Sequence, residues 1–270
     1  MNQLADPDGV FAAARSRPDL CVEFFGLPGS GKTTIAREVY AVLARRSPEL
    51  VFAPRLLRDE SGAAKRVTAK LRLIAAEAGR RGISLNHLRS TLAIRQPRLR
   101  DSLRAAFTVT TVMSLYGNLR RHHLGAVLDQ GLLQALWSVL LFAKDDDKDS
   151  TLIAGLLKDA VGSQRVYVAV EASPDLCAER LASRKSKHSR LQDSEAATDR
   201  EMFLKAELLR QKILGDLRAT YRKQGVPSLI ITVDGSADPV ISAKQIADAL
   251  WQGELVAGLP PATAIPGVKP

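Results

Sequence analysis

The residues 25–34, FGLPGSGKTT, constrain the fold more than any other part of the chain. An apolar run, LCVEF, precedes them, and IAREVYAVLARR, with apolar residues at helical spacing, follows. The pattern G-x-x-x-x-G-K-[ST] is satisfied at Gly26, Gly31, Lys32 and Thr33. The sequence therefore predicts a strand over 20–26, a tight glycine-rich turn and a helix over 31–46.

Each residue type in this turn has a physical reason to hold phosphate. The glycines let the backbone turn tightly and point its N–H groups inward. The N-terminus of the following helix adds about half a positive charge. Lys32 supplies a cation for the β- and γ-phosphates of ATP, and the Thr33 hydroxyl can bind Mg²⁺. The residues predicted to contact the nucleotide are Gly26, Leu27, Pro28, Gly29, Ser30, Gly31, Lys32, Thr33 and Thr34.

A second strand end offers the acidic partner that such a turn requires. GAVLDQG at 125–131 is predicted to be a short buried strand ending at Asp129. A carboxylate at this position can hold Mg²⁺ directly or through water. We therefore expect Thr33 and Asp129 to bind the metal. The alternative is that Asp129 only begins a turn or caps a helix.

A basic segment at 177–192, CAERLASRKSKHSRLQ, is the third candidate feature. It lies at the end of a helix that Ser173 and Pro174 are predicted to begin. Cations are needed where charge develops on a transferred phosphoryl group. A segment of this kind can close over ATP and exclude water. The alternative is a solvated basic loop.

The remaining pattern predicts strands that alternate with helices. Further strands are predicted over 49–56, 165–172 and 228–235, and helices over 132–143, 197–223 and 238–251. This alternation favours a parallel sheet covered on both faces. No strand signal occurs over 57–121, which is predicted to be helical. We expect one domain over 1–252, and a disordered tail over 253–270 because that segment is rich in Gly and Pro.

Taken together, FFGLPGSGKTT, GAVLDQG, CAERLASRKSKHSRL and LIITVDGSADPVISAKQIADAL resemble the P-loop nucleoside and nucleotide kinases, with thymidylate kinase-like proteins the nearest pattern. The resemblance covers about 20–47, 124–143 and 164–251. It implies an α/β three-layer P-loop NTPase fold, with a five-stranded parallel sheet in the order 2-3-1-4-5. It also implies a helical insertion at 57–121 that holds the phosphoryl acceptor.

The same resemblance implies roles for individual residues. It implies a lid over about 184–196. Within and beside that lid it implies catalytic arginines at Arg184 and Arg190, and an ATP contact at Arg180. Lys32 and Asp129 complete the predicted catalytic set. The loop 234–237 is implied to lie near the adenine base.

The acceptor is left open by the sequence. Many members of the family carry arginine where this chain has Gln130, and that arginine reaches the acceptor. For a phosphate acceptor, the available arginines are Arg58, Arg120 and Arg121. For an alcohol, a carboxylate is needed near the proton, and the candidates are Asp59, Glu60 and Asp129.

Four further residues near the predicted site have open roles. Tyr116 and Trp137 would either stack on a ring of the acceptor or pack in the core. His122 and His123 are expected to be loop residues. Glu23 lies inside the first predicted strand, so its charge is expected to have an arginine or a backbone donor as partner.

Charge and composition restrict the class of protein. The net charge is +10, and 55–121 contains fifteen Lys or Arg against four Asp or Glu. This excess leaves a polynucleotide-directed kinase as one alternative. A regulatory ATP-binding switch is another, although a pure switch would not need the arginines of 177–192. Aromatic residues form only 5% of the chain, which disfavours a base-stacking surface. No signal-peptide pattern, disulfide framework or membrane-spanning run occurs, so we expect a cytoplasmic enzyme that acts on a small molecule.

Overall fold

A computed structural model describes residues 20–53, 63–78, 88, 91–92, 94–143, 155–158, 165–183, 200–225 and 229–251. Its strands are β1 (Cys21–Gly26), β2 (Val51–Phe52), β3 (Ala126–Leu128), β4 (Arg165–Glu171) and β5 (Ile230–Asp234). Its main helices are α1 (Lys32–Ala44), α2 (Ala63–Ala78), α3 (Leu99–Arg121), α4 (Leu132–Leu141), α5 (Pro174–Ala182), α6 (Arg200–Gln224) and α7 (Pro239–Trp251).

The five strands form one parallel sheet in the order β2-β3-β1-β4-β5. Cys21 of β1 is aligned with Ala126 of β3 and with Arg165 of β4. The predicted order 2-3-1-4-5 is confirmed. Because parallel strands end at the same edge, the turn after β1, Asp129 after β3 and the loop after β5 lie along one edge of the sheet.

Helices enclose the central strand. All six residues of β1 are buried, as expected for a strand covered on both faces. Helix α1 contacts α7, and α4 contacts both α3 and α6. The nine buried residues of α4 show that it is an interior helix with almost no polar surface.

Most predicted elements begin and end within a few residues of the observed bounds, but β2 is much shorter than expected. It has two residues, Val51 and Phe52, against the predicted 49–56. Its only neighbour in the sheet, β3, is itself three residues long. Val51 and Phe52 pair with Ala126 and Val127, and the ladder ends there because Ala53 is already helical.

Two helices of the predicted insertion are described, and they pack on each other. Helices α2 and α3 are in contact, and Arg121 of α3 forms an ion pair with the buried Glu77 of α2. The predicted lid at 184–196 and the predicted tail at 253–270 lie outside the described residues. Across the ranges given above, no helix is both long enough and apolar enough to cross a membrane.

Candidate functional site

The turn between β1 and α1 has a backbone that requires glycine. Gly29 and Gly31 have φ angles of 91° and 92°, in the left-handed region where side chains are strained. A Cβ atom on Gly29 would also lie 2.4 Å from the Cys177 carbonyl oxygen. The two glycines therefore allow both the curvature of the loop and its close approach to α5.

The N-terminus of helix α1 points into this loop, and no acidic side chain of its first turn neutralises the partial positive charge there. Gly31 is the N-cap residue, no side chain caps the helix, and its first turn has no acidic residue. The first amides of a helix lack intrahelical acceptors and carry partial positive charge. This end of α1 can therefore bind an anion.

The side chain of Lys32 points back into the glycine-rich loop that precedes it. Its Nζ donates hydrogen bonds to the carbonyl oxygens of Gly26 (2.8 Å) and Leu27 (2.7 Å). The residue is only 7% exposed. Its ammonium group is thus held within the cradle formed by the backbone.

Thr33, at the start of α1, and Asp129, after β3, lie side by side although they are 96 residues apart in sequence. The Thr33 hydroxyl donates a hydrogen bond of 3.2 Å to Oδ2 of Asp129, and Asp129 is buried. A hydroxyl and a carboxylate are hard oxygen donors of the kind that Mg²⁺ binds beside nucleotide phosphates. The residues present therefore fit the predicted metal.

Arg180 reaches the same edge from α5. Its NH1 donates a hydrogen bond of 2.8 Å to the carbonyl oxygen of Gly235, in the loop after β5. A Cβ atom on Gly31 would lie 3.8 Å from the same NH1. The structure thus places Arg180 beside the glycine-rich turn and the loop 234–237, two segments predicted to contact ATP.

The loop after β5 is packed directly on the glycine-rich turn. A Cβ atom on Gly235 would lie 2.2 Å from the Ser30 carbonyl oxygen, so only glycine allows this approach. Asp234 accepts hydrogen bonds of 2.7 Å from the backbone N–H and the hydroxyl of Ser236. These bonds, with Arg180 nearby, lower the pKa of the Asp234 carboxyl below its usual value.

Glu23 of β1 is a buried carboxylate next to the turn that carries Asp129. Its Oε1 accepts a hydrogen bond of 2.7 Å from the Leu133 N–H, and its Oε2 accepts one from the Tyr116 hydroxyl. The Tyr116 oxygen in turn accepts a hydrogen bond of 3.2 Å from the Leu132 N–H. The expected backbone donor for Glu23 is therefore present at the start of α4.

A cation also lies close to this carboxylate. The Arg165 guanidinium carbon is 3.7 Å from the centre of the Tyr116 ring, a cation–π contact. Burial raises the pKa of Glu23, and the bonds from Tyr116 and Leu133 and the charge of Arg165 oppose this effect without cancelling it. Sequence reasoning predicted that Glu23 has a partner but did not identify Tyr116 or the N-terminus of α4.

Several other candidate residues lie away from the glycine-rich turn or in the core. Arg120 and Arg121 end α3 before β3 begins, at the edge of the sheet opposite to Asp129. Trp137 is buried and donates a hydrogen bond of 2.9 Å to the Ala206 carbonyl, so it packs in the core. His122 and His123 are exposed in the turn before β3, and Gln130 is exposed beside Asp129.

Five residues of the predicted site lie outside the described residues: Arg58, Asp59, Glu60, Arg184 and Arg190. Their predicted roles at the acceptor and in the lid stay predictions.

Residues 22–208 match the family model of the AAA domain. The chain belongs to the AAA domain family. The matched region is more than half of the chain and includes the glycine-rich turn, Asp129 and Arg180. Together with the observed sheet order, it confirms the P-loop NTPase fold class and the P-loop resemblance predicted from the motifs.

Solved structures similar to this AAA domain protein include deoxyadenosine kinase from M. mycoides with bound dATP, at 11% sequence identity and a TM-score of 0.48. The same kinase with bound dCTP gives 12% and 0.40, and with the products dCMP and a flexible dCDP it gives 12% and 0.39. Each comparison covers 85% of this chain and 98% of the other. The comparison with curated protein sequences found no match.

Proposed function

We propose that this protein is a phosphotransferase that moves the γ-phosphoryl group of Mg²⁺·ATP to a small-molecule acceptor. The observation that carries the proposal is the hydrogen bond of 3.2 Å between Thr33 and Asp129, beside a loop that encloses the Lys32 ammonium. These groups would supply a metal site and a phosphate site next to each other. That combination is what phosphoryl transfer from a nucleotide requires.

Each of these residues has a role that follows from its position. Lys32 and the first amides of α1 would bind the β- and γ-phosphates, while Thr33 and Asp129 would hold Mg²⁺. An ion held by Thr33 and Asp129 would neutralise charge that develops on the phosphates. Arg180, anchored at Gly235, would contact the nucleotide from the side of α5. The chain thus acts mainly by positioning and charge stabilisation.

The acceptor would lie on the side of the helical insertion, near Gln130 and Asp129. Arg121 is engaged by Glu77 and ends α3 on the opposite side of the sheet, which removes one arginine considered for a phosphate acceptor. Asp129 is the carboxylate candidate that the structure does place beside the glycine-rich turn. Other acceptor candidates from the sequence, Arg58, Asp59 and Glu60, lie outside the described residues. Arg184 and Arg190 are proposed to complete the site from the lid.

The experiment that tests this function is transfer from γ-labelled ATP by the purified full chain. Nucleosides, nucleoside monophosphates, sugars, aminoglycosides and a short oligonucleotide would be offered separately, each with Mg²⁺. We expect transfer to one class, and a fall in kcat of at least about a hundredfold for Lys32→Ala, because a preorganised cation at the transferred group is lost.

The matched control is Lys212→Ala. Lys212 is an exposed lysine on α6 that pairs with Asp216 in the next turn, far in sequence from the glycine-rich loop. Its loss should leave turnover unchanged. Wild-type turnover in Lys32→Ala would contradict the proposed function. Binding of ATP without transfer to any class would instead favour the regulatory switch, and transfer only to the oligonucleotide would favour a polynucleotide kinase.

A further inference from the structure

We propose that Glu23 and Tyr116 are positioning residues that hold the turn after β3, so that Asp129 stays opposite Thr33. The inference rests on the proposed function, since it concerns the metal pair of that site. Glu23 and Tyr116 accept hydrogen bonds from the backbone at the start of α4. Both act through the first residues of α4.

The contacts fix two successive amides at the start of α4. Glu23 accepts from the Leu133 N–H at 2.7 Å, and the Tyr116 oxygen accepts from the Leu132 N–H at 3.2 Å. Because Tyr116 also donates to Glu23, the two side chains form one connected cap. A side chain that caps a helix N-terminus fixes the entry of the chain into that helix.

The Glu23 side chain packs tightly against the turn at Gly131. A Cβ atom on Gly131, the N-cap residue of α4, would lie 2.3 Å from Cδ of Glu23. Gly131 is two residues after Asp129, and its φ of −130° is open to any residue. Glycine is required here by the carboxylate of Glu23 rather than by the backbone angle. The turn is thus shaped around a charge that comes from the neighbouring strand.

The position of Glu23 in β1 connects the cap to both halves of the metal pair. Glu23 lies three residues before Gly26, where the glycine-rich loop that leads to Thr33 begins. It pairs in register with Leu128, the residue immediately before Asp129. One buried carboxylate therefore links the strand that leads to Thr33 with the turn that carries Asp129. Tyr116 adds the insertion helix α3 to the same link.

A role in stability alone does not explain why this polar cluster is buried. Glu23, Tyr116 and Arg165 are all buried, and a buried charged cluster of this kind stabilises a fold poorly compared with apolar side chains of similar volume. Glu23 and Tyr116 of this cluster hydrogen-bond to the turn after Asp129, where the position of the backbone determines the position of the proposed metal ligand. Side chains that orient a metal ligand typically change metal affinity about tenfold to a hundredfold when removed.

The test measures Mn²⁺ binding by electron paramagnetic resonance, in the full chain saturated with a nonhydrolysable ATP analogue. The variants are Tyr116→Phe and Glu23→Gln, with Asp129→Asn as the direct-ligand variant. We expect Mn²⁺ affinity to fall at least about fivefold in Tyr116→Phe, the size of one lost hydrogen bond. Affinity for the analogue without metal should stay within about twofold of wild type, because the loop of Lys32 is unchanged.

The matched control is Tyr221→Phe, since Tyr221 is also buried, lies on α6 and donates its hydrogen bond of 3.5 Å to the Arg165 carbonyl rather than to the start of α4. It should keep wild-type Mn²⁺ affinity. If Asp129→Asn weakens Mn²⁺ binding but Tyr116→Phe keeps wild-type affinity, the inference is wrong. Equal losses of affinity in Tyr116→Phe and Tyr221→Phe would also overturn it. If Asp129→Asn bound Mn²⁺ as wild type does, the metal site of the proposed function would be wrong as well. Should Glu23→Gln fail to fold, Tyr116→Phe decides.

Discussion

At the scale of single residues, the sequence predicts those that belong to a local pattern and misses those that meet only in the folded chain. Lys32 and Thr33 are identified by spacing within eight residues, and Asp129 by its position after an apolar run. Tyr116 and Leu133 lie 93 and 110 residues from Glu23 in sequence. Nothing in the local pattern around Glu23 specifies them, so the sequence predicts that a partner exists but not its identity.

The two cysteines give a prediction at this scale. Burial raises the pKa of Cys21 to about 12 and that of Cys177 to about 11, the latter despite the opposing charges of Lys32 and Arg180. The thiolate is the reactive form, so both thiols should be almost fully protonated at pH 8. We expect the native protein to leave Ellman's reagent unreacted over minutes, and the guanidinium-unfolded protein to react at two thiols. One rapid equivalent in the native state would contradict the burial of these residues.

At the scale of elements, the alternation of strands and helices is predictable because apolar periodicity and turn residues encode it locally. The N-cap of α5 is an example, since Ser173 accepts a hydrogen bond of 3.2 Å from the Leu176 N–H as predicted. The length of β2 is only partly predictable in this way. The strand ends at Phe52, two residues before Pro54, but its pairing with Ala126 and Val127 joins segments far apart in sequence.

The start of α4 gives a prediction at the scale of an element. Gly131→Ala should lower the free energy of unfolding by about 1–3 kcal/mol, because its Cβ would lie 2.3 Å from Cδ of Glu23 and force a shift. Chemical denaturation in urea, monitored by circular dichroism, measures this change.

The control for this prediction is Gly215→Ala in α6. A Cβ atom there would meet no heavy atom within 4 Å, and alanine favours a helix interior. We expect Gly215→Ala to raise the free energy of unfolding by about 0.5–1 kcal/mol. Equal effects of the two substitutions would show that helix propensity, rather than the clash with Glu23, determines the cost at Gly131.

At the scale of the whole molecule, the order of the strands was implied by the resemblance of the motifs to P-loop kinases rather than by periodicity. Periodicity favours a parallel sheet but leaves its order open. The packing of the insertion was not predictable at all. Gln96 donates a hydrogen bond of 3.0 Å to the Val139 carbonyl, so the segment before α3 rests on the C-terminal end of α4, while Tyr116 rests on its N-terminal end. Such tertiary bonds have no signature in local sequence.

In this arrangement, nucleotide binding at the proposed site would depend on several elements of the fold. The proposed site takes residues from the ends of β1, β3 and β5 and from α5, so a bound ligand should stabilise the sheet as a unit. A ligand at a hundred times its Kd stabilises the native state by about 2.7 kcal/mol. For a domain of this size class, 1 kcal/mol corresponds to a shift in Tm of about 2–4 °C. We therefore expect saturating Mg²⁺·ATP to raise Tm by about 5 °C or more.

Differential scanning fluorimetry of wild type, Lys32→Ala and Lys212→Ala measures this shift. Lys32→Ala should lose most of it, because the cation inside the loop is gone, whereas Lys212→Ala should keep it. The unliganded Tm of Lys32→Ala has to be compared first, since Nζ of Lys32 also bonds the carbonyls of Gly26 and Leu27. A full shift in Lys32→Ala would mean that the nucleotide binds elsewhere on the protein, and the site built from Gly26 to Asp129 would be wrong.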